Sequence, residues 1–178
     1  MARIRLVKRQ RIYRGRIITL VREVYQAGGR RFAREIIRHP GAVVVVPMVD
    51  RSHLLFVRQY RRAVGRELLE LPAGTLNRGE SRLACARREL EEETGWRAHR
   101  LKRISQFYTA PGVLSEEMTV FLAEGLSPSA AHPEPDEIVT PVMLSLRAAS
   151  RKVQTGAIRD AKSIIGVLLA QRLLAGKA

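Results

Sequence analysis

Glu89, Glu91, Glu92 and Glu93 crowd into five positions, and Gly95 follows almost at once. Carboxylates packed so closely have two uses. They can pair with nearby cations, here Arg87 and Arg88, as an ordinary salt-bridged helix surface. Or they can hold a hard divalent cation such as Mg²⁺, which takes oxygen ligands from a few carboxylates, from water and from phosphate groups. In a helix the like charges at i,i+3 (Glu89 and Glu92) and i,i+4 (Glu89 and Glu93) each cost about 0.2–0.5 kcal/mol. Carboxylates near a helix C-terminus also oppose its macrodipole, so something must offset the cluster. No transition-metal set competes: His39, His53, His99 and His132 are scattered, and Cys85 is the single cysteine.

A helix over Glu80–Thr94 would place the cluster. Leu83, Ala86 and Leu90 recur at helical spacing, and Gly95 stands where a C-cap belongs. With Leu83 at zero, Leu90 and Ala86 fall near about 340° and 300°, while Glu92, Glu89 and Glu93 fall near about 180°, 240° and 280°. Three glutamates therefore share an arc beside the expected buried stripe. Glu91, near about 80°, points elsewhere and reads as solvated. Cys85, between Ala84 and Ala86, reads as a small buried apolar residue.

The wider spacing is more specific. Gly74, five residues, Glu80, seven residues, Arg88-Glu89-Leu90, one residue, Glu92-Glu93, one residue, Gly95 and apolar Trp96 fill nine defined positions over 23 residues. This resembles the Nudix box, G-x5-E-x7-R-E-U-x-E-E-x-G-U with U apolar, at every defined position. Further motifs resemble the ADP-ribose pyrophosphatase branch of that superfamily: Arg34-Glu35, His39-Pro40-Gly41, Arg58-Gln59-Tyr60-Arg61, Glu70-Leu71-Pro72-Ala73-Gly74, Ala110-Pro111-Gly112 with Glu116, and Gly156-x-Ile158-x-Asp160-Ala161-Lys162. Pro111 lies 16 positions past Gly95, a spacing similar to that of the proline marking the ADP-sugar class.

The resemblance implies Mg²⁺-dependent hydrolysis of ADP-ribose, or a close ADP-sugar, to AMP and ribose 5-phosphate, with Mn²⁺ able to substitute. It implies Glu89, Glu92 and Glu93 as metal ligands, with the Ala73 carbonyl beside them, Arg88 orienting the glutamates and Glu80 bracing the loop before the helix. It also implies a base from an acidic loop, Glu134 first and Glu137 second, with Asp136 as a further metal contact. For the substrate it implies Arg34 and Glu35 on the adenosine side, Arg61 near the phosphates, Pro111 and Gly112 with Ala110 on the ribose side, and Glu116 near substrate and metal. Arg58 and Thr75 are weaker candidates. Other nucleoside-diphosphate sugars, flavin or nicotinamide dinucleotides are the alternative substrates. A regulatory or RNA-binding member is the alternative of another class.

The elements that must carry these residues follow from the pattern. Residues 9–38 read as two or three short strands with a turn at Ala27-Gly28-Gly29. Ala42–Val49, β-branched and apolar on both faces, reads as a buried central strand. His53–Tyr60, Arg66–Leu71, Arg103–Tyr108, Met118–Ala123 and Ile138–Leu144 read as further strands, and Leu146–Gln154 and Asp160–Leu174 as terminal helices. The expected fold is α/β: a Nudix-type α/β/α sandwich with a mixed sheet, over 41–178, preceded by a small antiparallel N-terminal sheet over 1–40. In the resembling branch such strands exchange across a homodimer, which makes Arg16 and Ile17 candidate residues lent to the partner's site.

Composition narrows the classes. The 178 residues carry 32 Lys and Arg against 17 Asp and Glu, a net charge of +15. Residues 1–40 hold 12 of the cations against only Glu23 and Glu35, so +10 of the charge sits there. Basic residues alternate with apolar ones in that stretch, as on an exposed strand face, and aromatics are only 5%. This is unlike the aromatic-interleaved basic stripe of a nucleic-acid binder, and nucleic acid is not the expected partner. The longest apolar run is far short of the roughly 20 residues of a membrane span. A single cysteine and a start without an apolar signal core point to a cytoplasmic enzyme.

Overall fold

Alternating basic and apolar residues near the start of the chain form three antiparallel strands, β1 (Arg5–Arg14), β2 (Thr19–Ala27) and β3 (Arg30–Arg38), in the order β1-β2-β3. The computed structural model describes residues 3–129 and 138–176. Two compact units divide the chain: Met1–Gly41 with Phe107–Glu117, and Ala42–Gln106 with Met118–Ala178.

In the first unit, Gly28 and Gly29 take φ of +53° and +77°, the left-handed region that lets β2 turn straight into β3. One carboxylate is sealed into this sheet. Glu23 accepts hydrogen bonds from Arg9 Nε at 2.5 Å, from Arg38 Nη2 at 2.6 Å and from the Tyr25 hydroxyl. A buried charge is tolerable only when paired and hydrogen-bonded, and here one residue from β1 and one from β3 converge on the β2 carboxylate. Tyr25 stacks on its cross-strand partner Phe32 at 5.9 Å, tying the two strands of the hairpin together. Residues 107–117 join the end of β3: the Ile37 amide donates to Val113 at 2.8 Å, and the Ser115 amide donates to Ile37 at 2.9 Å.

The second unit holds β4 (Ala42–Pro47), β5 (His53–Arg61), β6 (Arg66–Glu70), β7 (Ala73–Thr75), β8 (Trp96–Tyr108), β9 (Glu117–Pro128) and β10 (Val139–Ser145), with α1 (Arg82–Thr94), α2 (Leu146–Gln154) and α3 (Ala161–Ala175). β7-β4-β9-β8 is a mixed sheet, β4 running parallel to β9 and antiparallel to β7. β10-β5-β6 is antiparallel. β4 is buried along its whole length. Its Val43 and Val45 pack with Cys85, Ala86 and Leu90 of α1. On the opposite face Val46 meets α3, where a β-carbon on Gly166 would come within 2.3 Å of Leu71 Cδ1 and 3.1 Å of Val46 Cγ2. A helix on each face of a mixed sheet makes the α/β/α sandwich, and the β-branched run of β4 is its central layer.

Four local expectations are corrected. α1 begins at Arg82 rather than Glu80, because the Ser81 hydroxyl caps it, accepting from the Ala84 amide at 3.1 Å. Leu83 is 42% exposed, so the buried stripe of α1 is Cys85, Ala86, Glu89, Leu90, Glu93 and Thr94. β8 starts at Trp96 rather than near Arg103, its basic residues riding on a half-exposed strand that hid the pattern. Ala73–Thr75, beyond the strand expected to end at Leu71, pairs with β4 as the short strand β7.

Candidate active site

β7 and α1 bring the glutamate cluster together. Ser81 and Gly95 fix the ends of α1; Gly95 takes φ of +70° and its amide donates to Glu91 O at 2.8 Å. The helix has no basic residue in its last turn, so its carboxylates must be answered from elsewhere. Glu89 and Glu93 lie inside the buried stripe, at 8% and 4% exposure, and not merely beside it. Glu92 stands at the stripe's edge, half-buried.

One guanidinium answers much of this charge. Arg88 grips Glu80 with Nε at 2.8 Å and Nη2 at 3.0 Å, and its Nη1 donates to Glu89 at 2.7 Å and Glu92 at 3.0 Å. Its Nη2 also reaches the Thr75 carbonyl at 3.3 Å, so the helix is strapped to β7. The hydrogen bonds to Glu80, together with the Glu89 and Glu92 carboxylates, make Arg88 hold its proton more tightly than a free arginine. In return the Arg88 bond holds the Glu80 carboxyl below its usual range. Glu80 also accepts from the Asn77 amide at 2.9 Å, bracing the turn before α1.

Glu93 reaches β7 from the other side: its Oε2 accepts from the Ala73 amide at 3.0 Å. Glu89 lies flat against Gly74, where a β-carbon would stand 1.8 Å from Glu89 Oε1. Cys85 is buried and directs its thiol toward the Gly74 and Thr75 carbonyls at 3.8 and 3.6 Å. Burial first, then the Glu89 and Glu80 charges, push that thiol up to about 12. Glu91, expected to be a solvated bystander, is instead tied down: it accepts from Arg97 Nε and from Ser129 Oγ, each at 2.7 Å.

The donors here are oxygen only, which suits a hard divalent cation. Among the described residues no group of three His, Cys, Asp or Glu side chains converges as a metal cage; Glu89 and Glu92 turn to Arg88 and Glu93 to the Ala73 amide. Glu134, Asp136 and Glu137 lie outside the described residues.

Arg61, at the end of β5, forms a two-pronged pair with Glu70, Nε to Oε1 at 2.8 Å and Nη2 to Oε2 at 2.7 Å. Glu70 is 1% exposed and also takes the Lys162 ammonium. Arg58 is exposed, 4.0 Å from Glu67. In the first unit, Arg34 lies over the Phe32 ring at 5.0 Å, and Glu35 is 3.8 Å from Arg22. Pro111 and Gly112 occupy an exposed turn closed by the Leu114 amide donating to Ala110 O at 2.9 Å. Glu116 accepts from Thr109 Oγ1 at 2.7 Å and stands 3.6 Å from His39 Nδ1. Arg16 and Ile17 sit exposed in the β1–β2 turn, where the Gly15 amide donates to Ile18 O at 2.8 Å.

Glu70, Asp160 and Lys162 stand in the motifs above but carry no role expected from the sequence. A glutamate ending a strand just before Leu71-Pro72, and a lysine two places past a capping aspartate, were the available signals.

A NUDIX domain model matches residues 38–165. The chain is 38% identical over 164 residues to an ADP-ribose pyrophosphatase of Bacillus subtilis (strain 168), covering 90% of this chain and 89% of that one. It is 37% identical over 164 residues to a methanol dehydrogenase activator of Bacillus methanolicus, with the same coverage of 90% and 89%. The fold is similar to that of a crystal structure of an ADP compounds hydrolase, with a TM-score of 0.86, 24% identity and coverage of 98% and 96%.

Proposed function

The chain belongs to the NUDIX domain family, and from that premise we propose that it hydrolyses the diphosphate bond of ADP-ribose, or of a close ADP-sugar, to AMP and ribose 5-phosphate. The observation that carries this reading is the buried Glu89–Glu93 pair, strapped by Arg88 and the Ala73 amide onto β7, in a chain similar over nine tenths of its length to an ADP-ribose pyrophosphatase.

The working site needs a divalent metal, which we assign as Mg²⁺ with Mn²⁺ as a substitute. Glu89, Glu92 and Glu93 would hold it, with the Ala73 carbonyl. When bound, such an ion neutralises diphosphate oxygens and lowers the pKa of a water. The protein's own part is positional. Arg88 keeps Glu89 and Glu92 side by side despite their repulsion, and Gly74 leaves room for the Glu89 carboxylate. On the resemblance alone, Arg61 is assigned to the diphosphate, Arg34 and Glu35 to the adenosine, and Pro111, Gly112 and Glu116 to the ribose side. Glu134 is assigned as the base on sequence grounds alone.

We further assign a cytoplasmic homodimer built through the N-terminal strands. One observation supports the dimer: β1 exposes Leu6, Val7, Ile12 and Tyr13 along an edge strand.

The test is a substrate panel read by released AMP, with ADP-ribose, other nucleoside-diphosphate sugars, flavin and nicotinamide dinucleotides and capped RNA, each with Mg²⁺. ADP-ribose should lead by kcat/KM. Turnover of ADP-ribose no better than that of the dinucleotides or capped RNA would remove this assignment and leave only the family.

A further inference from the structure

Asp160, Lys162, Glu70 and Arg61 form one line of contacts. Asp160 Oδ1 lies 2.9 Å from Lys162 Nζ, Lys162 bonds Glu70 Oε2, and Glu70 grips Arg61 with both oxygens. The charges alternate, minus, plus, minus, plus. The inner members are sealed: Glu70 shows 1% of its side chain and Lys162 12%, whereas Arg61 shows 36%. The exposed end of the line is therefore a cation.

The Asp160 end is fixed by the fold. The far oxygen of Asp160 caps α3, accepting from the Ser163 amide at 3.0 Å and from the Ser163 hydroxyl at 2.5 Å. Ser163 in turn accepts from the Leu71 amide at 2.7 Å, the residue directly after Glu70. The start of α3 is thus locked to Leu71, just past the end of β6 and three residues before Gly74 of the glutamate site.

Were Glu70 to face Arg61 alone, the two would form a neutral pair and Arg61 would have little charge to offer an anion. Sharing Glu70 between two cations changes that, since Arg61, Glu70 and Lys162 together carry one net positive charge, and Asp160, which offsets it, pairs with Lys162 at the end of the line away from Arg61. The grip also takes Nε and Nη2, so the Nη1 edge is not engaged by Glu70. Hydrogen bonding to Glu70, with the Glu93 and Asp160 charges adding to it, makes Arg61 hold its proton more tightly than usual.

We propose that Lys162 is a positioning residue for substrate binding: by sharing Glu70, it keeps the Arg61 guanidinium charged outward and fixed in orientation for the diphosphate of a nucleotide substrate. The proposal rests on the reading that Arg61 meets the diphosphate. It gives α3, outside the glutamate box, control over substrate affinity.

A double-mutant cycle tests it. Arg61→Ala, Lys162→Met and the double variant are compared with wild type for KM and kcat on ADP-ribose. Lys162→Met should raise KM about tenfold, the order of one charge-assisted hydrogen bond, with kcat nearly unchanged. In the Arg61→Ala background it should add nothing, because it acts only through Arg61. Lys162→Arg, which keeps the cation, should restore most of the affinity. Should Lys162→Met not fold, Lys162→Gln, which keeps a donor for Glu70, carries the same cycle. An equal KM rise in both backgrounds, or a fall in kcat alone, overturns the proposal. An Arg61→Ala variant with wild-type KM overturns it through its premise. Wild type inert on ADP-ribose but active on another panel substrate removes only the substrate assignment, and the cycle is then read on that substrate.

Discussion

Glu89 occupies the space that a side chain on residue 74 would need: a β-carbon on Gly74 would stand 1.8 Å from Glu89 Oε1 and 1.9 Å from its carboxyl carbon. The glycine at the head of the box is thus explained by a contact with a glutamate fifteen residues later, across the seam between β7 and α1. Because the obstructed group is the end of a flexible side chain, Gly74→Ala should leave the fold intact and displace Glu89 alone. A displacement of about 1 Å at a reacting centre can cost about a hundredfold. Gly74→Ala should therefore lose about that factor in kcat while its thermal midpoint stays near wild type. A normal kcat would mean that Glu89 works from a different position.

The Glu93 carboxylate has two separable properties, its charge and its acceptance of the Ala73 amide at 3.0 Å. Glu93→Gln keeps an acceptor oxygen for Ala73 and removes only the charge. The variant should fold and melt like wild type, lose kcat by about a hundredfold or more, and need a higher Mg²⁺ concentration for half-maximal activity, as expected when a charged oxygen ligand is lost. A Mg²⁺ titration of both proteins, read by AMP release, checks it. An unchanged midpoint would take Glu93 out of the metal set.

Much of this architecture was legible because its residues obey local rules. β4 is readable from five apolar β-branched or small residues in a row, and α1 from its period and from Gly95. The box itself is a spacing, so the glutamates could be placed before any coordinates. What could not be read depends on partners distant in sequence. Leu83 fits the helical stripe as well as Cys85 does, and only the position of β4 decides that Leu83 faces solvent and Glu93 faces inward. Arg61 reads as a phosphate ligand in a local motif, yet its orientation is set by Glu70 and by Lys162, a hundred residues on. Glu91 looks unconstrained on a helical wheel, and Ser129, 38 residues away, is what holds it.

Cys85 stands beside the glutamate cluster with its thiol held unreactive. Burial and the neighbouring Glu89 and Glu80 charges raise its thiol to about 12. At neutral pH essentially no thiolate forms, and the thiolate is the reactive species. The native protein should therefore resist a thiol-reactive dye at pH 7.5 and react fully in denaturant. Rapid labelling of the folded enzyme would show that α1 opens away from β7, a motion the packing around Cys85 does not provide.

Glu23 makes the stability of the N-terminal sheet depend on acid. Burial alone would raise its carboxyl pKa, but hydrogen bonds from Tyr25, Arg38 and Arg9 outweigh burial and bring it down to about 2, below the 4.5 of a free glutamate. A group depressed on folding adds stability that is fully present above its unfolded pKa and lost as pH falls through the folded one. The window is thus from about pH 4.5 down to about pH 2. Glu23→Gln should destabilise the protein at pH 7 by about 2 kcal/mol, the order of a buried charged hydrogen-bond partner lost. It should also flatten the stability profile across that window, because Gln cannot titrate. Denaturant unfolding of both proteins at pH 7, 4.5 and 3 measures the difference. Arg9 and Arg38, about half exposed, can rehydrate in the variant, so a difference between the two proteins that failed to shrink toward pH 3 would mean that the clamp acts by shape rather than by charge.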